Sequence, residues 1–151
     1  NDIHLKIILF LLLIICAFSD IGGIIFGKFF KGPKLTQISP NKTISGSLGS
    51  IIFSVVTSII LMNLIFDTHI YYNIFLGFVI SVSVQIGDLF FSYLKRKSNI
   101  KNTGNILPGH GGILDRIDGI LLGLPVGLIL LLIQIYTIWK IKYQFLDRLV
   151  P

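Results

Sequence analysis

Glutamate is absent from this chain. All seven acidic side chains among its 151 residues are aspartates, so carboxylate chemistry falls to aspartate alone. Charge of either sign is scarce: charged residues make up 13% of the chain, about half the roughly 25% usual in soluble domains. With 53% apolar residues and a mean hydropathy of +0.85, that scarcity excludes an ordinary soluble domain and predicts an integral membrane protein. Cysteine occurs once, as Cys16 inside an apolar run, which excludes an intrachain disulfide and a cysteine metal centre; a buried, inert thiol is expected. The sequence has no Gly-x-x-x-x-Gly-Lys loop, no His-Glu-x-x-His and no Gly-x-Ser-x-Gly, which removes the common signatures of soluble enzymes. No internal repeat or low-complexity segment stands out.

The apolar residues gather into runs that predict an all-α integral membrane protein, a polytopic bundle of about four transmembrane helices joined by basic cytoplasmic loops. The first run is too short as residues 7–18 and reaches span length only if it continues through Asp20 to Phe26. It lacks a cleavage-type ending, so it reads as a span and not a removed signal peptide. An aspartate inside a span is costly and marks a candidate functional site; the alternative is that Asp20 sits at the membrane surface and residues 21–30 lie along it. The second span is expected over residues 47–66, with Gly49, Ser50, Ser54 and Ser58 on one face, where small residues let helices pack closely. The third is expected over 70–91. Its Ser81, Gln85 and Asp88 share a face by their spacing, and such a stripe should face protein or a water-filled cavity. The fourth is expected over 119–139, kinked near Gly123, Pro125 and Gly127.

The formal charge is +6 and the cations are clustered, as on cytoplasmic loops or at anionic headgroups. Nucleic acid is a poorer partner, because no basic stripe interleaves with aromatics on a soluble face. Four spans place the basic segments around Lys28–Lys42 and Lys95–Arg116 on one side, predicted cytoplasmic. The basic tail then falls on the other side, against the positive-inside rule.

Residues 92–118 form the longest stretch that does not look like membrane. They hold Lys95, Arg96, Lys97, Lys101 and Arg116, two aspartates (Asp115 and Asp118), His110, and glycines on both sides of that histidine. Asp115 and Asp118 would face the same way on a helix. A polar segment of this kind suits a phosphate-bearing ligand and a divalent cation held by carboxylates. From the residues alone the reading stops at a phosphate and metal site at a membrane surface.

The same stretch resembles the signature of the phosphatidate cytidylyltransferase (CDP-diacylglycerol synthase) family, S-x-x-K-R-x-x-x-x-K-D-x-G-x-x-L-P-x-H-G-G-x-x-D-R-x-D. Ser92, Lys95, Arg96, Lys101, Gly104, Leu107, Pro108, His110, Gly111, Gly112, Asp115, Arg116 and Asp118 fall at matching places, and Asn102 replaces an aspartate. Gly87, Asp88 and Leu89 match the segment just before it. Residues 38–46 are similar to the family's I-S-P-K-K-T-x-E-G, with Asn41 and Ser45 departing. Asp20, Gly22, Gly27 and Lys28 are similar to a third family segment.

The resemblance implies transfer of a cytidylyl group from CTP to phosphatidate, giving CDP-diacylglycerol and pyrophosphate. It implies Mg²⁺ as cofactor, leaving a second metal ion open, with Asp88, Asp115 and Asp118 as metal ligands. It implies catalytic roles for Asp88, Lys95, Asp115, Arg116 and His110, where His110 either contacts phosphate or shapes the loop. Substrate contacts are expected from Ser39, Lys42, Thr43, Ser92, Arg96, Lys101, Gly111 and Gly112. The implied location is the bacterial inner membrane, with the signature segment on the cytoplasmic side. Residues 1–151 are expected to be one transmembrane domain, the C-terminal catalytic part of such an enzyme. Its partners beyond the bilayer are then further N-terminal spans or a second copy of the chain. Two rival readings are a related transferase acting on another lipid phosphate, and a transporter or membrane scaffold whose aspartates line a pathway.

Overall fold

The computed structural model describes residues 2–36, 39, 42–66, 68–98 and 114–147, with side chains described from residue 5 onward and, in the last helix, for residues 117–137. The described chain forms four α-helices: α1 (Asp2–Phe30), α2 (Ile44–Ile65), α3 (Ile70–Lys97) and α4 (Leu114–Asp147). Each contains a stretch long and apolar enough to cross a bilayer. The shortest, α2, has 22 residues, or about 33 Å at 1.5 Å per residue, which matches a hydrocarbon core of about 30 Å. Among the described residues the only β pairing is an isolated bridge between Lys34 and Thr43. Large apolar side chains such as Phe10, Leu64, Phe75 and Ile133 are exposed on the outside of the bundle, as a lipid-facing surface requires.

Helix α1 is continuous through Asp20, so the full-length first span is the one observed. It ends at Lys31, whose left-handed backbone (φ 41°) breaks the helix. Helix α2 begins three residues before the expected boundary because Thr43 caps it, Oγ1 accepting from the Gly46 amide at 3.1 Å. Helix α3 extends six residues past the expected end. Residues 92–97, expected in a polar loop, form its last turns, where Lys95, Arg96 and Lys97 complement the negative end of the helix dipole. Helix α4 takes in residues 114–118 at one end and 140–147 at the other, and Pro125 lies within it.

α1 packs against α2, α3 and α4, and α3 against α2 and α4. The core is built from Ile8, Leu12, Ile15 and Cys16 of α1 with Met62, Leu76, Ile80, Val84 and Leu131; Cys16 is buried as expected. Small residues set the helix spacing. A Cβ on Gly22 would stand 2.5 Å from the Gly49 carbonyl oxygen, and one on Gly77 would stand 2.7 Å from Val55 Cα. Gly49, Ser50, Ser54 and Ser58 form the buried face of α2, as their spacing predicts. Ser54 Oγ donates to the Gly77 carbonyl at 2.8 Å.

Candidate functional site

At the end of the bundle where α1 and α3 finish and α2 and α4 begin lies a cavity of about 430 Å³. Each helix contributes. Asp20, Gly23, Gly27 and Lys28 come from α1, Gly46, Ser47 and Ser50 from α2, Gln85 and Asp88 from α3, and Asp118 from α4; Lys42 and Thr43 come from the connecting segment. The segment after α1 is held against the mouth by backbone bonds from Leu35 N to Lys42 O (2.7 Å) and from Ile44 N to Pro33 O (3.0 Å). The Gly32 amide donates to Ser45 Oγ at 3.2 Å, and Ser45 shares a 3.1 Å bond with Thr43. Ser45, where the family has glutamate, therefore fastens this segment.

The charges form pairs across elements. Lys42 Nζ lies 2.5 Å from Asp88 Oδ2, and Lys95 Nζ lies 3.3 Å from Asp118 Oδ2. Both pairs are mostly shielded, with exposures of 27% and 24% in the first and 16% and 13% in the second. The Asp88 and Asp118 carboxylates both stand at Gly119, where α3 meets α4. Two glycines permit this: a Cβ on Gly87 would lie 2.9 Å from the Asp118 carbonyl oxygen, and one on Gly119 would lie 2.8 Å from Asp88 Oδ1. The Gly119 amide donates to Asp118 Oδ1 at 2.9 Å, fixing that carboxylate. Beneath the charged groups, Ser47 Oγ donates to Gln85 Oε1, Gln85 Nε2 donates to Ser81 Oγ at 3.2 Å, and Ser81 bonds Ser19 at 2.9 Å. The polar face of α3 thus looks into protein and cavity, as its spacing predicts.

Of the residues picked out from the sequence, the fold brings Lys42, Thr43, Asp88, Lys95 and Asp118 together. Ser39, Ser92 and Arg96 do not line the cavity formed by the described residues. Ser39 instead shapes its turn, its amide donating to Thr36 Oγ1 at 3.3 Å and its carbonyl accepting from the Lys42 amide at 3.1 Å. Asp115 and Arg116 stand in the first turn of α4, their side chains outside the described ones. Lys101, His110, Gly111 and Gly112 also lie outside the described residues. The fold gives Asp88 an ammonium partner in Lys42 and sets Lys95 against Asp118.

Asp20 and Lys28, noted in the sequence but left out of the candidate catalytic set, line the cavity. Ser47 and Ser50 do too, although nothing in their spacing separated them from packing residues. Among the described residues no three histidine, cysteine or acidic side chains are arranged to hold a metal ion. The donors present nonetheless suit Mg²⁺. Asp88 and Asp118 offer adjacent hard oxygens in a cavity with room for more, and Mg²⁺ is commonly held by one or two carboxylates with waters and phosphate oxygens completing its shell.

Residues 2–134 match the family model described as the cytidylyltransferase family. The chain is 42% identical over 147 residues to the phosphatidate cytidylyltransferase of Helicobacter pylori, covering 97% of this chain and 54% of that protein. It is 44% identical over 119 residues to the enzyme of that name from Rickettsia felis, covering 73% of this chain and 50% of that protein. Against the one from Staphylococcus haemolyticus it is 42% identical over 118 residues, covering 77% and 45%. It therefore spans about half the length of the curated relatives it matches. The four apolar helices and the matched family model agree: this chain is an integral membrane protein and belongs to the cytidylyltransferase family.

Proposed function

We propose that this chain carries the catalytic centre for cytidylyl transfer from CTP to phosphatidate, forming CDP-diacylglycerol and pyrophosphate. The observation that carries the reading is the cavity that gathers Asp20, Asp88 and Asp118 with Lys28 and Lys42 at one end of a membrane bundle. A phosphate oxygen of phosphatidate attacks the α-phosphorus of CTP. The bond from that phosphorus to the bridging oxygen of the β-phosphate breaks, and pyrophosphate leaves. The attacking oxygen is already ionised, so no strong general base is needed.

Asp88 and Asp118 would hold Mg²⁺. When bound, Mg²⁺ offsets the charge of the triphosphate and of the leaving pyrophosphate. Lys42 and Lys28 face the same space and supply cationic donors for phosphate oxygens. For Lys42 this means exchanging its bond to Asp88 for one to the nucleotide. Lys95 keeps the Asp118 carboxylate in place. His110, Lys101, Asp115 and Arg116 extend this set by family resemblance, and a second metal ion remains compatible with it.

The reading places the cavity end on the cytoplasmic side of the bacterial inner membrane. CTP is cytosolic, and the segments carrying Lys28, Lys31, Lys34 and Lys42 and Lys95, Arg96 and Lys97 sit at that end. The test is the chain in vesicles containing phosphatidate, supplied with CTP and Mg²⁺, with CDP-diacylglycerol and pyrophosphate both measured. Equal amounts of the two products are expected, either from the chain alone or after co-expression with the N-terminal spans of a relative. Product with a polyprenyl phosphate but none with phosphatidate would replace the acceptor, and no product with either would overturn the reading.

A further inference from the structure

The cavity has a neutral wall as well as a charged one, and in that wall the donor and acceptor of each Gln85 hydrogen bond to Ser47 are fixed by chemistry. Gln85 Nε2 lies 3.3 Å from the backbone oxygen of Ser47 and 3.2 Å from Ser81 Oγ. A carbonyl oxygen only accepts, so the amide nitrogen must be the atom that faces it. This orientation turns Gln85 Oε1 toward the Ser47 hydroxyl. Because Oε1 also only accepts, Ser47 must donate to it. Both N–H groups of Gln85 and the one O–H of Ser47 are thereby engaged within the protein. Both residues line the cavity, and what they still present to a ligand is lone pairs.

A wall of acceptors repels phosphate oxygens, which are acceptors themselves, and leaves them to Lys42 and Lys28. It favours an uncharged N–H donor. On a cytosine base the exocyclic amine N4 is such a donor, whereas uracil carries the acceptor O4 at the same place. We propose that Gln85, held by Ser47 and Ser81, determines nucleotide specificity by accepting a hydrogen bond from the cytosine amine and rejecting uracil. This rests on the reading of the chain as a CTP-dependent transferase. A site built around a hydrogen bond discriminates strongly because the wrong ligand leaves its polar groups opposed or unpaired.

The test compares kcat/KM for CTP and UTP, in phosphatidate vesicles, for the unaltered chain, Gln85→Met and Ser47→Ala. Methionine matches glutamine in length and removes the acceptor. The unaltered chain should prefer CTP. Gln85→Met should lower the CTP/UTP ratio by about tenfold or more with the KM for phosphatidate unchanged. Ser47→Ala, which loosens the amide but keeps its oxygen, should lower the ratio by a smaller factor. If CTP and UTP use fall in parallel in both variants, Gln85 serves only the helix crossing and the proposal is wrong. Should Gln85→Met fail to fold, an unchanged ratio in Ser47→Ala overturns it. An unaltered chain that uses the two nucleotides equally well sinks this inference alone, whereas one that makes no CDP-diacylglycerol from CTP sinks the transferase reading itself.

Discussion

The 2.5 Å contact between Lys42 Nζ and Asp88 Oδ2 ties the segment after α1 to α3 across 46 positions of sequence. Both partners are about three-quarters shielded, so removing either one leaves a charge with little water to compensate it. In the proposed reaction the same two groups have new partners waiting, a divalent cation for the carboxylate and a phosphate for the ammonium. The ion pair keeps both side chains at the cavity until those partners arrive.

Asp88→Asn and Asp118→Asn should each lower Mg²⁺-dependent turnover by more than about a hundredfold, or ~2.7 kcal/mol in the barrier. Lys42→Ala should act differently, mainly raising the KM for CTP, because it removes a binding contact to the nucleotide. A Mg²⁺ titration of each variant separates these outcomes. Unchanged rate and unchanged metal dependence in both asparagine variants would put the site elsewhere.

The helix crossings beneath the cavity should be intolerant of a single added methyl group. On Gly22 a Cβ would meet the Gly49 backbone oxygen at 2.5 Å and Phe53 Cβ at 2.6 Å, neither of which can move alone. Gly22→Ala is expected to cost about 1–3 kcal/mol through overpacking. On Gly27 the nearest atom is Thr43 Oγ1 at 3.1 Å, so Gly27→Ala should cost less. Thermal unfolding midpoints in detergent give the comparison, and equal midpoints for the two variants would refute the packing argument.

Periodicity made much of this legible. The small face of α2 and the polar face of α3 repeat at helical spacing and point where that spacing says. Asp20 stood out because an aspartate inside an apolar run has few inert explanations. The pairing of charges did not show: Lys42 and Asp88 meet only after the chain turns back on itself, and no local pattern encodes that. The helical state of residues 92–97 was hidden for another reason. Three cations in a row look like a loop, yet at a helix C-terminus they are favourable. Ser47 went unnoticed because a hydroxyl among small residues looks the same whether it serves packing or a ligand.

Sidedness can be checked with single cysteines in a Cys16→Ala background. Cysteines at Lys34 and Ser98 should react with a membrane-impermeant reagent from one side, expected to be cytoplasmic, and a cysteine at Thr68 from the other. Lys34 is exposed beside the Thr43 cap of α2, Ser98 caps α3, and Thr68 lies in the turn between these helices at their other ends. Reaction of residues 34 and 98 from opposite sides would break the four-span arrangement.

At the end of the bundle away from the cavity, Asn73 is fully buried. Its Nδ2 donates to Asn63 Oδ1 at 2.9 Å, and its Oδ1 accepts from Thr68 Oγ1 at 2.8 Å. This one side chain thus joins α3 to the end of α2 and to the turn between them. Replacing it with leucine would remove both hydrogen bonds, each worth about 0.5–1.5 kcal/mol net, since Asn63 is exposed and Thr68 half-buried and water can reach both. Asn73→Leu should therefore lower the unfolding midpoint clearly. The variant that does fold should keep its KM for CTP and its Mg²⁺ dependence, since no residue of this cluster reaches the cavity. Thr68→Val removes only one of the two bonds and should fall between. If Asn73→Leu instead shifts the KM for CTP while the midpoint holds, the two ends of the bundle are coupled and the assignment of this cluster to stability alone is wrong.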